Sequence, residues 1–471
     1  MGHVDNAGTV MNANTTTRTT KTVKSLPMPK VWAFAVGQFG WALLSGIISN
    51  WLVYFYQPDS ETISQGQTVF VPQGLAVLGV VTVVGGITRF FDAFVDPAVA
   101  SLSDRCTSKS GRRMPFLKFA ALPLALVTVL VFWSPINDTS WINGAFLFVT
   151  VIGYYIALTF YCTPYNALIA ELGHDSKQQL TISTAISFTW VAGTAIAYVA
   201  PVIWAGFVPG LGRVNAIRLT FTIMAAIAFV CMLVPPLTIK ERDYVNSQPT
   251  SESTIESLKQ TFGDGEFRKF VCSDVVYWVA ITTFQTGLPF FVTSLLKLPE
   301  TTTTIYFVLM TAVSVLFYMP VNVLANRVGK KRILLVAFVI FSCAFAFAGA
   351  LGSGLLAAIP TMAQGLILSI VGAIPMAAFG ILPQAIVANI ADASSKTTGQ
   401  DRQGMFYAAR TFAMKMGQSV AMLLFTGVST IGMASGAGYR IAAVCAAVLC
   451  GIGGVVFAFY NERKVLDVLE S

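Results

Sequence analysis

Four charged residues stand where charge is costly. Arg89, Asp92 and Asp96 interrupt an apolar run at 74–102, and Lys415 interrupts another at 405–432. Runs of that length match membrane-spanning helices, which need roughly 20 apolar residues. The three residues of the first run are spaced i, i+3, i+7, so a helix carries them on one face. With Asp104 at the helix end, Asp96 lies ~12 Å and Asp92 ~18 Å deep at 1.5 Å per residue. Even insertion scales assign each intramembrane charge about 2.5–3.5 kcal/mol, and two acids one turn apart also repel. A bound cation, a proton or a basic partner must offset them, and Lys415 is the candidate partner. Hard cations take carboxylate and hydroxyl oxygens, and a buried carboxyl holds a proton more readily. The residues read either as a Na⁺ or H⁺ site at Asp92 and Asp96, with Arg89 and Lys415 in coupling roles, or as a static ion-pair network.

The elements that must position them are apolar throughout. The chain has 471 residues, 55% of them hydrophobic and only 11% charged. A soluble globular protein carries about a quarter charged residues, so the bilayer is the expected solvent. Apolar runs fall near 31–56, 74–102, 116–134, 142–168, 181–207 and 217–238. After a polar stretch from 240 to 269, six more fall near 270–296, 304–326, 333–352, 357–390, 405–432 and 438–460. The expected architecture is an all-α membrane protein of twelve transmembrane helices. Residues 1–30 read as a disordered cytoplasmic tail, 31–239 as an N-terminal six-helix bundle and 240–269 as a central cytoplasmic loop. Residues 270–461 read as a C-terminal six-helix bundle and 462–471 as a second cytoplasmic tail. Within the loop, Ile255, Leu258 and Phe262 form a helical stripe, readable as an interfacial helix or as one turn of a solvated linker.

Charge orients the spans. With both termini cytoplasmic, 23 of the 30 Lys and Arg fall on the inner side. Only Arg213, Arg218, Lys297 and Arg440 lie in outer loops, and Arg89, Arg410 and Lys415 lie inside helices. That asymmetry follows the positive-inside rule, so the net charge of +8 reflects topology and gives no ground for nucleic-acid binding. The seven cysteines include no CxxC pair, and the two histidines are His3 and His174. Metal centres, cofactors and Ser-His-Asp catalysis are not expected, and neither is enzymatic activity.

The two halves echo each other. Pro164-Tyr165-Asn166-Ala167-Leu168 ends the fourth run and Pro383-Gln384-Ala385-Ile386-Val387 ends the tenth, 219 residues later. Ser103-Asp104-Arg105 with Gly111-Arg112-Arg113 follows the second run, and Ala325-Asn326-Arg327 with Gly329-Lys330-Lys331-Arg332 follows the eighth. Two matches at nearly one offset indicate two parallel six-helix repeats, the major facilitator fold, with a substrate site between the halves near the midplane. The charges at 92, 96 and 415 break the repeat, as a coupling site should. Asp104, Arg105, Arg112, Arg113 and Arg327 share it, and they read as gating residues, with Asp104 pairing to Arg112 or Arg113 across the short loop.

Arg89-Phe-Phe-Asp92-Ala-Phe-Val-Asp96-Pro97, followed by Ser103-Asp104-Arg105 and Gly111-Arg112-Arg113-Met-Pro115, resembles the glycoside-pentoside-hexuronide:cation symporters of the major facilitator superfamily, the melibiose permease-like family. Gly37-Gln-Phe-Gly40 with Gly46, Pro164-Tyr-Asn-Ala-Leu168, and Gly404 to Gly417 containing Lys415 add to the match. The resemblance implies that Asp92, Asp96 and Thr159 bind the coupling cation and that Lys415 is the helix-eleven lysine. Cys162 stands in place of that family's helix-four acid, which tilts coupling toward H⁺. Ala42, Asn166 and Ser187 stand where sugar-contacting residues are expected, which argues against a galactoside site. Polar groups at a suitable depth for substrate are Gln38, Ser45, Asn50, Tyr165, Asn166, Gln285 and Arg410, and Trp41 reads as a ring that stacks on a sugar or as ordinary apolar packing. The function expected is symport of a sugar or glycoside with H⁺ or Na⁺ by a monomer in the inner membrane. The alternative is a carrier of a lipid-like or other non-sugar anion, or an uncoupled facilitator. Arg410 reads either as a bidentate ligand for a substrate carboxylate or sulfonate or as a side chain that snorkels or pairs with Asp401.

Overall fold

The computed structural model describes residues 25–72, 81, 84, 87–88, 95–96, 98–100, 102–103, 105–108, 110–173, 176–245, 261–398, 403–432 and 435–470. Arg89, Asp92, Asp104, Asp401 and the 253–260 part of the amphipathic stripe lie outside these residues.

The described residues are almost wholly helical. We number the main helices α1 (Met28–Tyr56), α2 (Met114–Val131), α3 (Trp141–Leu172), α4 (Ser176–Leu211), α5 (Arg213–Thr238), α6 (Gly265–Phe290), α7 (Thr301–Val328), α8 (Lys330–Ala350), α9 (Thr361–Thr398), α10 (Gln403–Ser429), α11 (Ala437–Ala458) and α12 (Glu462–Glu470). A π turn, Phe291–Leu295, extends α6. Ten of these helices are long and apolar enough to cross a membrane. The described residues between Val81 and Ser103 are also helical, and with α10 they complete the twelve expected spans. Several helices outrun their apolar runs. The run near 357–390 becomes a helix ending at Thr398, because backbone hydrogen bonding does not require apolar side chains. Residues 462–470, read as a tail, form α12, which packs on α9 with Val465 buried at 4% exposure.

Packing follows lipid rules. Large apolar side chains such as Phe119, Leu316 and Met319 face outward at 73–84% exposure, and helices meet through small residues that let backbones approach. α1 packs on α4 and α5, and α2 on α3 and α5. In the second half α6 packs on α10 and α11, α7 on α9, and α8 on α11. The two sets touch through α1 with α6 and α4 with α7. Gly40 shows why glycine serves here: a Cβ on it would stand 2.6 Å from the Ala228 carbonyl oxygen of α5.

The internal repeat is visible in the turns. Gly111 and Gly329 both take left-handed backbone, at φ +121° and +99°, just before α2 and α8. Each helix start is then capped by an acid that follows the last long apolar helix of its own half, α5 or α11. Glu241 accepts from the backbone N–H of Arg112, Arg113 and Met114, and Glu462 from those of Lys330 and Lys331. Carboxylates suit helix N-termini because they satisfy orphan donors and complement the dipole.

Candidate functional site

Two helices bring side chains to Asp96. Its Oδ2 accepts from Lys415 Nζ of α10 at 2.6 Å, and its Oδ1 accepts from Thr163 Oγ1 of α3 at 3.2 Å. The acid is 25% exposed and the lysine 14%, so the pair is largely withdrawn from water while keeping a route to it. The contact crosses between the two helix sets. It depends on α10 lying close to α6: a Cβ on Gly417, two residues past the lysine, would stand 2.6 Å from the Val275 carbonyl oxygen.

Thr159 and Cys162 precede Thr163 on α3 at i−4 and i−1, which places the two threonines on one face. Thr159 is buried at 2% exposure and Cys162 is a half-buried cysteine outside any disulfide. The sequence reading did not single out Thr163, although its spacing of four from Thr159 was a usable signal. A monovalent cation at Asp96 would find carboxylate and hydroxyl oxygens here, and a proton would find one carboxyl with a movable ammonium beside it.

Gln38 and Trp41 lie on α1, three residues apart. Thr286 Oγ1 of α6 donates to the Ser49 carbonyl oxygen at 3.4 Å, so the Ser49 face of α1 meets the second helix set. Gln38 lies eleven residues earlier, three turns along that face. Gln38 is buried at 5% exposure, and its Oε1 and the Trp41 Nε1 are both buried without a hydrogen-bond partner among the described residues. The Trp41 ring packs on Trp190 of α4 with centroids 4.9 Å apart. Asn50 is buried, Gln285 half-buried, and Asn166 exposed.

Two residues expected at the substrate have other company. Tyr165 is fully buried within its own helix set, its hydroxyl donating to the Phe34 carbonyl oxygen at 2.7 Å and its ring stacked on Phe34 at 4.3 Å. Arg410 makes a bidentate ion pair with Asp274 of α6, Nε to Oδ2 at 2.9 Å and Nη2 to Oδ1 at 3.1 Å. Both groups are buried, at 8% and 1% side-chain exposure. Asp274 escaped notice in the sequence because it lies near the start of its apolar run, beside Arg268 and Lys269, where an acid reads as a loop charge.

Arg112 and Arg113 converge on Glu171 at the end of α3. Arg112 Nη2 reaches Oε1 at 2.5 Å and Arg113 Nη2 the same oxygen at 2.7 Å. Glu171 was therefore missed as a partner of these arginines. Arg105 and Arg327 are exposed. Near this end of the molecule, Met28 and Trp32 of α1 with Thr181, Thr184, Ala185 and Phe188 of α4 line a mostly apolar cavity of about 400 Å³.

A family model described as MFS/sugar transport protein matches residues 33–460. The chain is 24% identical to the uncharacterized symporter YnaJ of Bacillus subtilis over 38% of this chain and 36% of that protein. It is 27% identical to the inner membrane symporter YicJ of Escherichia coli over 45% and 46%. These matches span less than half of either relative's length. The isoprimeverose transporter of Lactiplantibacillus pentosus is 23% identical over 84% of this chain and 78% of that protein. Among solved structures, the nucleoside transporter NupG superposes at TM-score 0.61 with 15% identity, covering 92% of this chain and 100% of that one. A bacterial homolog of the human lysosomal transporter Spinster superposes at 0.64 with 13% identity, covering 93% and 97%. At such identities the likeness carries the fold.

Proposed function

We propose, from the premise that this chain belongs to the MFS/sugar transport protein family, that it is a secondary active transporter coupling proton entry to uptake of a neutral sugar or glycoside. The observation that carries this reading is the Asp96–Lys415 pair across the two helix sets, with Thr163 on the second carboxylate oxygen. A proton arriving on Asp96 cancels its charge and releases the lysine. The bond across the seam then weakens, and the two sets are free to move relative to each other around a bound substrate. Asp92, Thr159 and Cys162 are read from the sequence as further members of the ion site, and Arg89, three residues before Asp92 in the chain, as a coupling charge. A thiol at Cys162 supplies a poorer Na⁺ ligand than a carboxylate, which favours the proton. The chain is read as a multi-pass monomer with both termini cytoplasmic.

Substrate polarity is read from the orphaned groups. Gln38 Oε1 and Trp41 Nε1 offer one acceptor and one donor, a match to sugar hydroxyls, with the Trp41 and Trp190 rings supplying a stacking surface. A buried polar group left without a partner costs about 1–3 kcal/mol, and a hydroxylated ligand removes that cost. Engagement of Arg410 by Asp274 removes the strongest ground for an anionic substrate. Tyr165 is left out of the proposed substrate set, since its hydroxyl and ring are both taken up by Phe34. A second reading, an amphipathic substrate, is favoured by the apolar cavity beside Trp32 and Phe188.

Purified protein in liposomes tests both. Under an imposed proton gradient the wild type should concentrate at least one member of a panel of labelled neutral glycosides. Asp96→Asn should only equilibrate it, and Lys415→Met should lose coupling while retaining exchange. Concentrative uptake by Asp96→Asn at the wild-type level sinks the assignment. Dependence on a Na⁺ gradient alone replaces the proton with Na⁺, and uptake confined to long-chain alkyl glycosides or lysolipids selects the second reading.

A further inference from the structure

One end of the seam is held by two carboxylates, each seated in a nest that involves the opposite helix set. Glu300, at the start of α7, enters a nest built by three helices of the first set. Its Oε2 accepts from Arg213 Nη2 at 2.5 Å and from the Tyr54 hydroxyl at 3.0 Å. Its Oε1 accepts from Arg213 Nη1 at 3.1 Å and from Trp204 Nε1 at 2.5 Å. Arg213 Nη1 also reaches Gln65 Oε1 at 3.2 Å. The arginine is 5% exposed and the glutamate 11%.

The reverse arrangement lies beside it. Asp59 follows α1 and is 1% exposed. On its own side it accepts from the Thr62 N–H at 2.8 Å and the Thr62 hydroxyl. From the second set it accepts from the Thr293 hydroxyl at 3.0 Å and from the Ser294 hydroxyl, both on the π turn after α6. Further along the seam, the Thr304 hydroxyl donates to the Tyr198 carbonyl oxygen at 2.5 Å and the Tyr198 ring stacks on Phe307. Gln57 Nε2 donates to the Thr426 carbonyl oxygen at 3.2 Å.

The opposite end spends its acids differently. Glu171 and Glu241 bind groups of the first set, while Glu266 and Glu462 bind groups of the second. Ser187, eleven residues before Tyr198 on the same face of α4, is exposed there. The two ends differ in what separation leaves behind. Parting a greasy seal exposes apolar surface to water. Parting Glu300 from Arg213 exposes two ions that water solvates well, which offsets much of the lost attraction. Such a joint holds when dry and releases at modest cost when wetted, as a gate requires.

We propose that Glu300 and Asp59 form a reciprocal clasp that closes the outer end of the transport path and opens to admit substrate. The inference rests on the alternating-access reading and on the orientation that places Arg213 outside. Thr286, 2% exposed beneath the clasp, serves as the outer probe as Thr286→Cys, and Ser187→Cys serves as the inner probe. Each is labelled with a membrane-impermeant maleimide from its own side in oriented vesicles. Peptide mass spectrometry reads the labelled site, so native cysteines act as internal controls. Glu300→Gln should raise outer labelling on the order of tenfold or more, as expected when one partner of a buried charge pair is lost, and should lower inner labelling. Asp59→Asn should move both probes in the same directions. Unchanged outer labelling in both variants overturns the clasp. A rise at both probes means loosened packing rather than gating and overturns it as well. A rise outside with no change inside keeps the clasp as a seal and removes the alternating-access reading instead.

Discussion

Replacing Asp274 with asparagine removes the bidentate counter-charge of the buried Arg410 guanidinium, and the magnitude follows from the geometry. The pair is bidentate at 2.9 and 3.1 Å, with side chains 1% and 8% exposed. At 2.9 Å and an effective dielectric of about 20, the attraction is about 6 kcal/mol. Desolvation of the two ions opposes it by several kcal/mol each, so the intact pair contributes little net stability. Removing one partner forfeits the attraction and keeps the other ion's desolvation, a loss of about 3–5 kcal/mol. Asp274→Asn and Arg410→Gln should each destabilise the purified protein by that amount. The Asp274→Asn/Arg410→Gln double variant should lose clearly less than the sum, because two amides can bond each other without burying charge. Unfolding equilibria in mixed detergent micelles, run as a double-mutant cycle, measure the coupling. Single variants within about 0.5 kcal/mol of wild type, the range of ordinary surface substitutions, refute the reasoning, as does strict additivity. Uptake by the double variant adds a second readout. A neutral substrate keeps its KM, whereas a carboxylated substrate bound by Arg410 loses affinity.

Two further outcomes follow from the packing and the caps. Gly40→Ala places a Cβ 2.6 Å from the Ala228 carbonyl oxygen and 2.7 Å from Met232 Cγ, and should cost about 1–3 kcal/mol by forcing α1 off α5. Gly206→Ala, with open space around it, should be neutral or stabilising by up to about 1 kcal/mol; the thermal midpoints of the two variants rank them. Glu241→Ala uncaps the start of α2 and should cost about 1 kcal/mol, with faster amide exchange confined to 112–114. Glu462→Ala should do the same at 330–331 in the other half, and exchange that stays at wild-type rates in both variants argues against the paired caps.

Much of the architecture was legible in the chain itself. Apolar length fixes where helices cross a membrane, because every backbone group there must find an internal partner. The 219-residue echo at Pro164 and Pro383 indicated the doubled plan, and the turns at Gly111 and Gly329 show that echo in three dimensions. Asp96 and Lys415 were conspicuous because a charge inside an apolar run has few ways to be offset, so each pointed to a distant partner.

The choice of partner was a different matter. Arg410 finds Asp274, 136 residues away, and its neighbours in the chain say nothing of that pairing. Arg112 and Arg113 turn to Glu171, and Glu300 crosses to Arg213, Trp204 and Tyr54, three residues on three helices. Hydropathy measures transfer from water to lipid one residue at a time, whereas an ion pair depends on the approach of two side chains at a few ångströms. Only the packing of helices sets that approach, through close contacts such as Gly417 against Val275. The sequence by itself determined which segments enter the membrane and that charges among them must be compensated; the tertiary structure decided which charges meet.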